Sequence, residues 1–563
     1  MLERANRRVE WPDQLVALGW ILLFAFAAAL TLQQIGSFDY WWHLRTGQLM
    51  IETGSVPHAD TYTYTAPGSP WIDIHWLFQL GLYGLYSAGG HTGVVIGKFV
   101  LAAVVLALLA PLGYQRNRPF VSISALAFLL VISCTRYMPR PELVSFVLLA
   151  ALLRILDRFD RTNDAWIYAI IPLQLLWVNV HGLFALGIAI CGMYFIGELG
   201  RSPVGFGGAV RRSRLRRLGT VTALATLICV ANPNGIEGTL YPLQQLEMVS
   251  LSGSRGFFGL NNMELQPAIE ALAPLPLALF LGFVALCVLS WILNCKELRV
   301  RDALVLVAFI YLAFGAIRNV PLLAIAATPI LVRNWNAYLD ARAFPTRLPL
   351  VAGIAVSLSL ALLVADTVGG RFYARLSTLR IPGFGIAKDI IPTGAVDWIE
   401  HMRPPGPIAH HMQEGGYLIW KLYPEYRVMA DGRLEVFGPE RFHELMTDRV
   451  DRFKELDAKY HFGVALVRYR APGWKDLLTF LQGDRYWRLT FIDDVAALFV
   501  RVRPGEDLSY PEIDLDAPDL FASVEDLVDA RAIRRLTLRA AALSSLGRDD
   551  LARDIWRNRK MQR

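Results

Sequence analysis

Trp76-Leu77-Phe78-Gln79-Leu80-Gly81-Leu82-Tyr83-Gly84-Leu85-Tyr86 is an apolar run without charge, and its counting decides the side of every later loop. Counted as a membrane span, it turns the run Arg211-Arg212-Ser213-Arg214-Leu215-Arg216-Arg217 outward. Counted as an interfacial or re-entrant helix, it leaves those arginines on the inner side, where basic loops are retained. Its Trp and Tyr content suits the headgroup layer. The interfacial reading is preferred; the alternative makes it a short span and removes another weak one.

Around it lie candidate spans at 14–33, 94–112, 119–134, 142–157, 165–180, 182–198, 218–232, 273–294, 303–317, 320–332 and 348–366. One set of alternate loops carries Arg4, Arg7 and Arg8, then Arg116 and Arg118, Arg158 and Arg161, and the 211–217 run. It continues with Lys296, Arg299 and Arg301, then Arg333, Arg342 and Arg347. The opposite set carries only Arg45, Arg136, Arg140, Arg255 and Arg318. This asymmetry predicts about eleven spans, a cytoplasmic N-terminus and an extracytoplasmic C-terminal region. A bacterial inner membrane is the expected location.

Composition agrees. Of 563 residues, 54% are hydrophobic and 19% charged, where a soluble chain carries nearer a quarter. The net charge of +7 could suggest nucleic acid, but the arginines sit in short loops between apolar runs, so no nucleic-acid partner is expected. All five cysteines, Cys134, Cys191, Cys229, Cys287 and Cys295, lie in apolar runs or at their ends, which gives no disulfide framework or zinc site. The N-terminal apolar run lacks a small-residue cleavage site and reads as an uncleaved first span.

The expected fold is an all-α polytopic membrane domain, residues 1–366, with a large outer loop at 34–93. A small extracytoplasmic α/β domain follows at 367–510. Its strands are read at Pro407–His411, Tyr426–Ala430 and Phe462–Arg468, with a hairpin over Trp487–Arg501 turning at Asp493-Asp494. Helices are read at 439–458 and 473–482. Residues 511–563 form a helical extension, with a helix-turn-helix like a tetratricopeptide hairpin hinged at Leu546-Gly547-Arg548. One such unit cannot bury its own face, so a helical cap is the plainer reading.

The outer loop carries the chemistry. It reads Phe38-Asp39-Tyr40-Trp41-Trp42-His43-Leu44-Arg45, then His58-Ala59-Asp60-Thr61-Tyr62, then Gly68-Ser69-Pro70-Trp71-Ile72-Asp73-Ile74-His75. A carboxylate among aromatics at a membrane surface is costly as decoration and useful as a base. This loop resembles the first external loop of GT-C membrane glycosyltransferases, oligosaccharyltransferase catalytic subunits and protein O-mannosyltransferase-like proteins among them. The likeness is greatest to the oligosaccharyltransferase subunits, where an Asp followed by aromatics, His or Tyr and Arg precedes a Gly-x-Pro and a second Asp.

The resemblance implies transfer of a sugar from a polyprenyl-phosphate donor to a glycan, lipid or protein acceptor outside the membrane. It assigns the acceptor-activating role to Asp39, with Asp60 as the second acidic position and Glu264 as a later-loop carboxylate. His43 and Arg45 are carried over as substrate-binding. Some members bind a divalent cation; no Asp-x-Asp occurs in this loop, so the cofactor and metal stay open. A Trp-Trp-Asp-Tyr-Gly acceptor motif is also lacking, since His411-Met412-Gln413-Glu414-Gly415 stands in its place.

The remaining candidates follow from topology. Arg140 and Arg318 lie in outer turns, with Arg136 and Lys98 behind them, where guanidinium forks suit phosphate. Asn319, Asn179 and His181 lie in the same class of turn and are candidate substrate contacts. Each could equally be a snorkelling charge or an inter-helix tie. A transporter of lipid-linked glycans, or a non-catalytic scaffold, is the alternative class. A transporter should place ionisable groups near the bilayer midplane, whereas these gather at the outer boundary.

Overall fold

The computed structural model describes residues 11–200, 208–250, 263–294, 299–342, 347–378, 380–447, 449–502, 510–515 and 530–561. Arg4, Arg7, Arg8, Arg255, Cys295 and Lys296 fall outside the described residues. The chain forms two compact units, one of residues up to Ile35 with Ile72–Gly385, the other of Gly36–Trp71 with Ile386–Arg563. The sequence-derived boundary at 366–367 therefore falls inside the first unit, and loop residues 36–71 pack with the second.

The first unit is helical: α1 (Asp13–Thr31), then, after α2 (Asp39–Thr53) of the second unit, α3 (Trp76–Leu109), α4 (Pro119–Ser133) and α5 (Pro141–Thr162). It continues with α6 (Ile170–Val178), α7 (Phe184–Leu199), α8 (Gly208–Leu227) and α9 (Gly235–Ser250). Four more follow: α10 (Pro274–Leu293), α11 (Val300–Gly315), α12 (Val320–Asp340) and α13 (Arg347–Val368). Among the described residues five helices are long and apolar enough to cross a membrane: Asp13–Thr31, Trp76–Leu109, Pro119–Arg136, Pro274–Leu293 and Leu348–Val368. Ala165–Val178 and Phe184–Leu199 are apolar but shorter.

Small residues set the helix spacing. A Cβ on Gly19 of α1 would lie 2.9 Å from the Phe120 ring of α4, and one on Gly353 of α13 would lie 2.8 Å from the same ring. Phe120 thus occupies room that only two glycines leave, the close approach that membrane helices use. The α3 run does not pass straight through. Gly90 has φ 58° and ψ −155°, a conformation open to glycine, and breaks the helix there. A Cβ on Gly97 would lie 2.5 Å from Leu85 Cδ2, so the first segment doubles back on the second. In an unbroken helix those residues would stand about 18 Å apart. Trp76–Gly89 is therefore a separate rod, tied at its start by Leu77 N–H donating to the Asn179 carbonyl.

Hydrogen bonds gather the loops at two ends of this bundle. At one end Arg380 donates to the Thr135 carbonyl, Ile317 N–H to Gln266 and Asn179 to Ala231. At the other, Trp11 donates to Asn117, and Asp340 pairs with Arg118.

The second unit holds a four-stranded sheet of order β1-β2-β4-β3: β1 (Ile408–Ala409), β2 (Val464–Arg468), β3 (Trp487–Ile492) and β4 (Ala496–Arg501). β1 and β2 are parallel, and the other pairs antiparallel. Residues 426–430 form no strand; Val428 makes only an isolated bridge with Thr63 of the loop after α2. The helix expected over 439–458 is two, α16 (Leu434–Glu444) and α17 (Val450–Tyr460), after α14 (Thr393–Met402) and α15 (Met412–Leu422). α18 (Trp474–Gly483) then carries the terminal hairpin of α19 (Ala530–Ser545) and α20 (Asp549–Met561), which turns at Gly547 (φ 79°). An ion pair between Arg539 and Asp494 and a hydrogen bond from Thr479 to the Ser545 carbonyl fasten it.

Candidate active site

Two groups of candidate residues form, one in each unit. In the second unit Asp39 opens α2, so its carboxylate stands at a helix N-terminus, where the partial positive charge favours the anion. It is half-buried against Asp431-Gly432-Arg433: a Cβ on Gly432 would lie 2.3 Å from Asp39 Oδ1 and 3.4 Å from Trp42 Nε1. Glycine is therefore required for the turn to approach the carboxylate. His43 is buried with its ring 3.6 Å from that of Trp42. Arg45 points along α2, its Nη1 donating to Glu52 Oε1 at 3.2 Å.

Asp60 is fully buried and fully occupied. Its Oδ1 accepts from Arg433 Nη2 at 2.6 Å, and its Oδ2 accepts from the Thr63 hydroxyl at 2.6 Å and the Thr63 N–H at 3.1 Å. Arg433 also donates to Asp431 and lies between the rings of Tyr62 and Trp71, 4.9 and 4.5 Å from their centroids. This is the arrangement of a strut between the loop 54–71 and the 431–433 turn. Removing one member of such a group strands buried charge.

Glu435 was missed by sequence reading. Its Oε1 accepts from Trp71 Nε1 at 3.3 Å, and burial, working against the pull of Arg433 and the Trp71 N–H, pushes its carboxyl up to about 7. The available signal was position: a second acid four residues beyond Asp431.

In the first unit, one end of the bundle gathers arginines. Arg136 donates to Glu142 at 2.6 Å and pairs with Glu264 at 2.9 Å. Arg140 Nη1 reaches both Glu264 oxygens at 2.7 and 2.8 Å. Burial works against the Glu264 carboxylate, but Arg140 and Arg136 outweigh it and hold the carboxyl down to about 2. Arg318 is exposed and within electrostatic reach of Arg136, Glu142 and Glu264, and Arg380 is within reach of Arg140 and Arg136. Arg380 comes from beyond the last span and was also missed.

The neutral candidates divide. Asn179 is spent on structure: its amide donates to the Leu175 and Ala231 carbonyls and accepts from Trp76 Nε1. Asn319 donates to the Leu312 carbonyl at 2.9 Å. His181 is half-buried, its Nδ1 2.9 Å from Ser145 Oγ and its ring 5.5 Å from that of His75. Burial, then the charges of His75, Arg318 and Arg136, hold its pKa well below the usual range. Lys98 Nζ donates to the Gln33 carbonyl at 2.8 Å. Among the described residues no group of three or more His, Cys, Asp or Glu is placed to hold a metal ion.

No family model matches the chain, and no curated protein does. Solved structures are similar to it, three crystal structures among them. The oligosaccharyltransferase of Archaeoglobus fulgidus, in the apo form, is 13% identical over 89% of this chain and 75% of its own, with a TM-score of 0.48. ArnT from Cupriavidus metallidurans bound to undecaprenyl phosphate is 11% identical over 87% of this chain and 98% of its own, with a TM-score of 0.48. Its apo state is 14% identical over 86% and 98%, with a TM-score of 0.48. Identity at this level leaves function to be read from the chain's own side chains.

Proposed function

We propose that this chain is a membrane glycosyltransferase of the GT-C type, moving a sugar from a polyprenyl-phosphate carrier to a glycan, lipid or protein acceptor outside the membrane. The supporting observation is the arginine end of the first unit. Four guanidiniums (Arg136, Arg140, Arg318 and Arg380) meet two carboxylates (Glu142 and Glu264), and Arg318 makes no ion pair among the described residues. That surplus suits an anion carrying more than one charge, as a phosphate does.

The chemistry needs little else. Glycosyl transfer passes through an oxocarbenium-like state, and phosphate leaves as a stable anion, so no strong acid is required. Arg318, Arg136 and Arg140 take up the charge that develops on the leaving phosphate. Asp39 orients the acceptor and accepts its proton. Glu264, held at about 2 between two guanidiniums, is a weak base and serves to hold Arg136 and Arg140 in place. Asp60 holds Arg433, and with it the turn against Asp39.

The test is transfer of labelled sugar from membrane-extracted lipid-linked donor. Asp39→Asn keeps the shape and removes the base, and it should lower transfer by about 100-fold or more while leaving the melting temperature near wild type. Equal transfer by the two proteins rejects Asp39 as the base.

A further inference from the structure

Three side chains, Ser145 of α5, Trp177 of α6 and His181 of the turn after α6, line up at the arginine end. Trp177 Nε1 lies 2.9 Å from Ser145 Oγ, and Ser145 Oγ lies 2.9 Å from His181 Nδ1. The direction of these bonds follows from the groups. An indole N–H can only donate, so the Ser145 oxygen accepts from Trp177. Ser145 is completely buried, and His181 Nδ1 is the one acceptor its hydroxyl proton has among the described residues. His181 Nδ1 therefore accepts, and the neutral ring carries its proton on Nε2.

No described hydrogen bond engages that Nε2, and the half-buried ring lies within electrostatic reach of Arg318 and Arg136. A fifth cation beside four guanidiniums would be repelled, whereas a neutral N–H adds a directed donor without adding charge.

We propose that Ser145 is a positioning residue that locks His181 in its Nε2–H form, so that His181 donates a neutral hydrogen bond to a phosphate oxygen of the ligand held by the arginines. The ligand class, a polyprenyl phosphate ester, rests on the proposed function. The tautomer lock rests on the geometry alone. Burial of His181 and the neighbouring charges of Arg318 and Arg136 keep the ring uncharged at neutral pH, and burial likewise holds His75 neutral, with a pKa of about 4.

The experiment uses the full chain in detergent with farnesyl phosphate as the probe, and nitrogen-15 histidine spectra with His181→Asn as the assignment control. Wild type should show His181 protonated on Nε2 and bare on Nδ1. Ser145→Ala should mix the two forms and weaken farnesyl phosphate binding about tenfold, the weight of a hydrogen bond to a charged group.

Asn at position 181 offers an amide N–H whatever Ser145 does. Adding Ser145→Ala to His181→Asn should therefore cost no further affinity. A wild-type ring protonated on Nδ1 overturns the lock. So does an equal loss from Ser145→Ala in both backgrounds, which would mark Ser145 as a packing residue. A wild type that ignores farnesyl phosphate, with Arg140→Ala and Arg318→Ala equally inert, overturns the phosphate reading and this use of His181, while the spectra still report the tautomer.

Discussion

The two ends of the helical unit both bury arginines, but they balance them differently. At the end opposite His181, Arg214 donates to Glu198 at 3.1 Å and to Asp160 at 3.0 Å, Arg301 pairs with Asp160, and Arg333 pairs with Asp302. Those three guanidiniums face three carboxylates, with the exposed Arg299 a further 3.9 Å from Asp160, beside a polar cavity of about 30 Å³ lined in part by Asp160, Tyr194, Asp302 and Arg333, room for about one water. At the His181 end the connecting turns carry four guanidiniums against two carboxylates. A balanced buried cluster is a fastening: its charges are used up on one another. A cluster with surplus positive charge is held at the cost of self-repulsion and is relieved by an anion.

This contrast breaks most visibly at Arg214, which is 3% exposed and joins α8 to Glu198 of α7 and Asp160 of α5. Arg214→Ala takes a buried guanidinium away from Glu198 and from Asp160, which keeps Arg301, and should destabilise the protein by about 3–5 kcal/mol. Farnesyl phosphate affinity of the remaining folded protein should not change. Thermal melting in detergent, followed by titration below the transition, reads both quantities. A variant that melts with wild type would mean that the balanced end fastens nothing.

Arg318 should give the reverse pattern. It is exposed and makes no ion pair among the described residues, so Arg318→Ala should alter stability by no more than about 0.5 kcal/mol. Loss of a charged donor to phosphate should weaken farnesyl phosphate binding by about 1.5–3 kcal/mol, roughly 10- to 100-fold. If instead the variant melts early and binds normally, Arg318 belongs with the fastenings and the two ends are alike.

Much of this was legible in the sequence, because charge is rare beside apolar runs and every exception stands out. Arg136, Arg140 and Arg318 were each visible as arginines on the poor side of the charge asymmetry. Ser145 was not, since a serine inside the apolar run of α5 is indistinguishable from an ordinary small packing residue until Trp177 and His181 converge on it. Arg380 lies 240 or more residues from Arg136 and Arg140, and nothing local ties it to them. Asp60 looked like Asp39 in composition; only the pairing with Arg433, 373 residues away, separates a strut from a candidate base. The stretch 426–430 has strand-like alternation, but its bridge partner is Thr63 in the loop after α2, a pairing that local pattern cannot reveal.

The smallest effect sharpens the comparison through pH, because Glu264 and Glu435 are shifted in opposite directions within their separate units. Glu264 is drawn from an ordinary 4.5 to about 2 by Arg140 and Arg136 against the opposing effect of burial. A carboxyl depressed on folding stabilises the protein above about pH 4.5, and that contribution is lost as pH falls toward 2. Glu435 is raised from 4.5 to about 7, chiefly by burial, so it disfavours the fold increasingly as pH rises from about 4.5 through 7. Each contribution should amount to about 1–2 kcal/mol once partial exposure is allowed for. Glu264→Gln should therefore lose stability at neutral pH and flatten the acid side of the melting profile, with sugar transfer lowered but not abolished. Glu435→Gln should flatten the limb between about pH 5 and 8 and gain stability at its upper end. If Glu264→Gln instead abolished transfer while melting normally, the carboxylate would be acting on substrate, and the surplus positive end would have lost its simplest explanation.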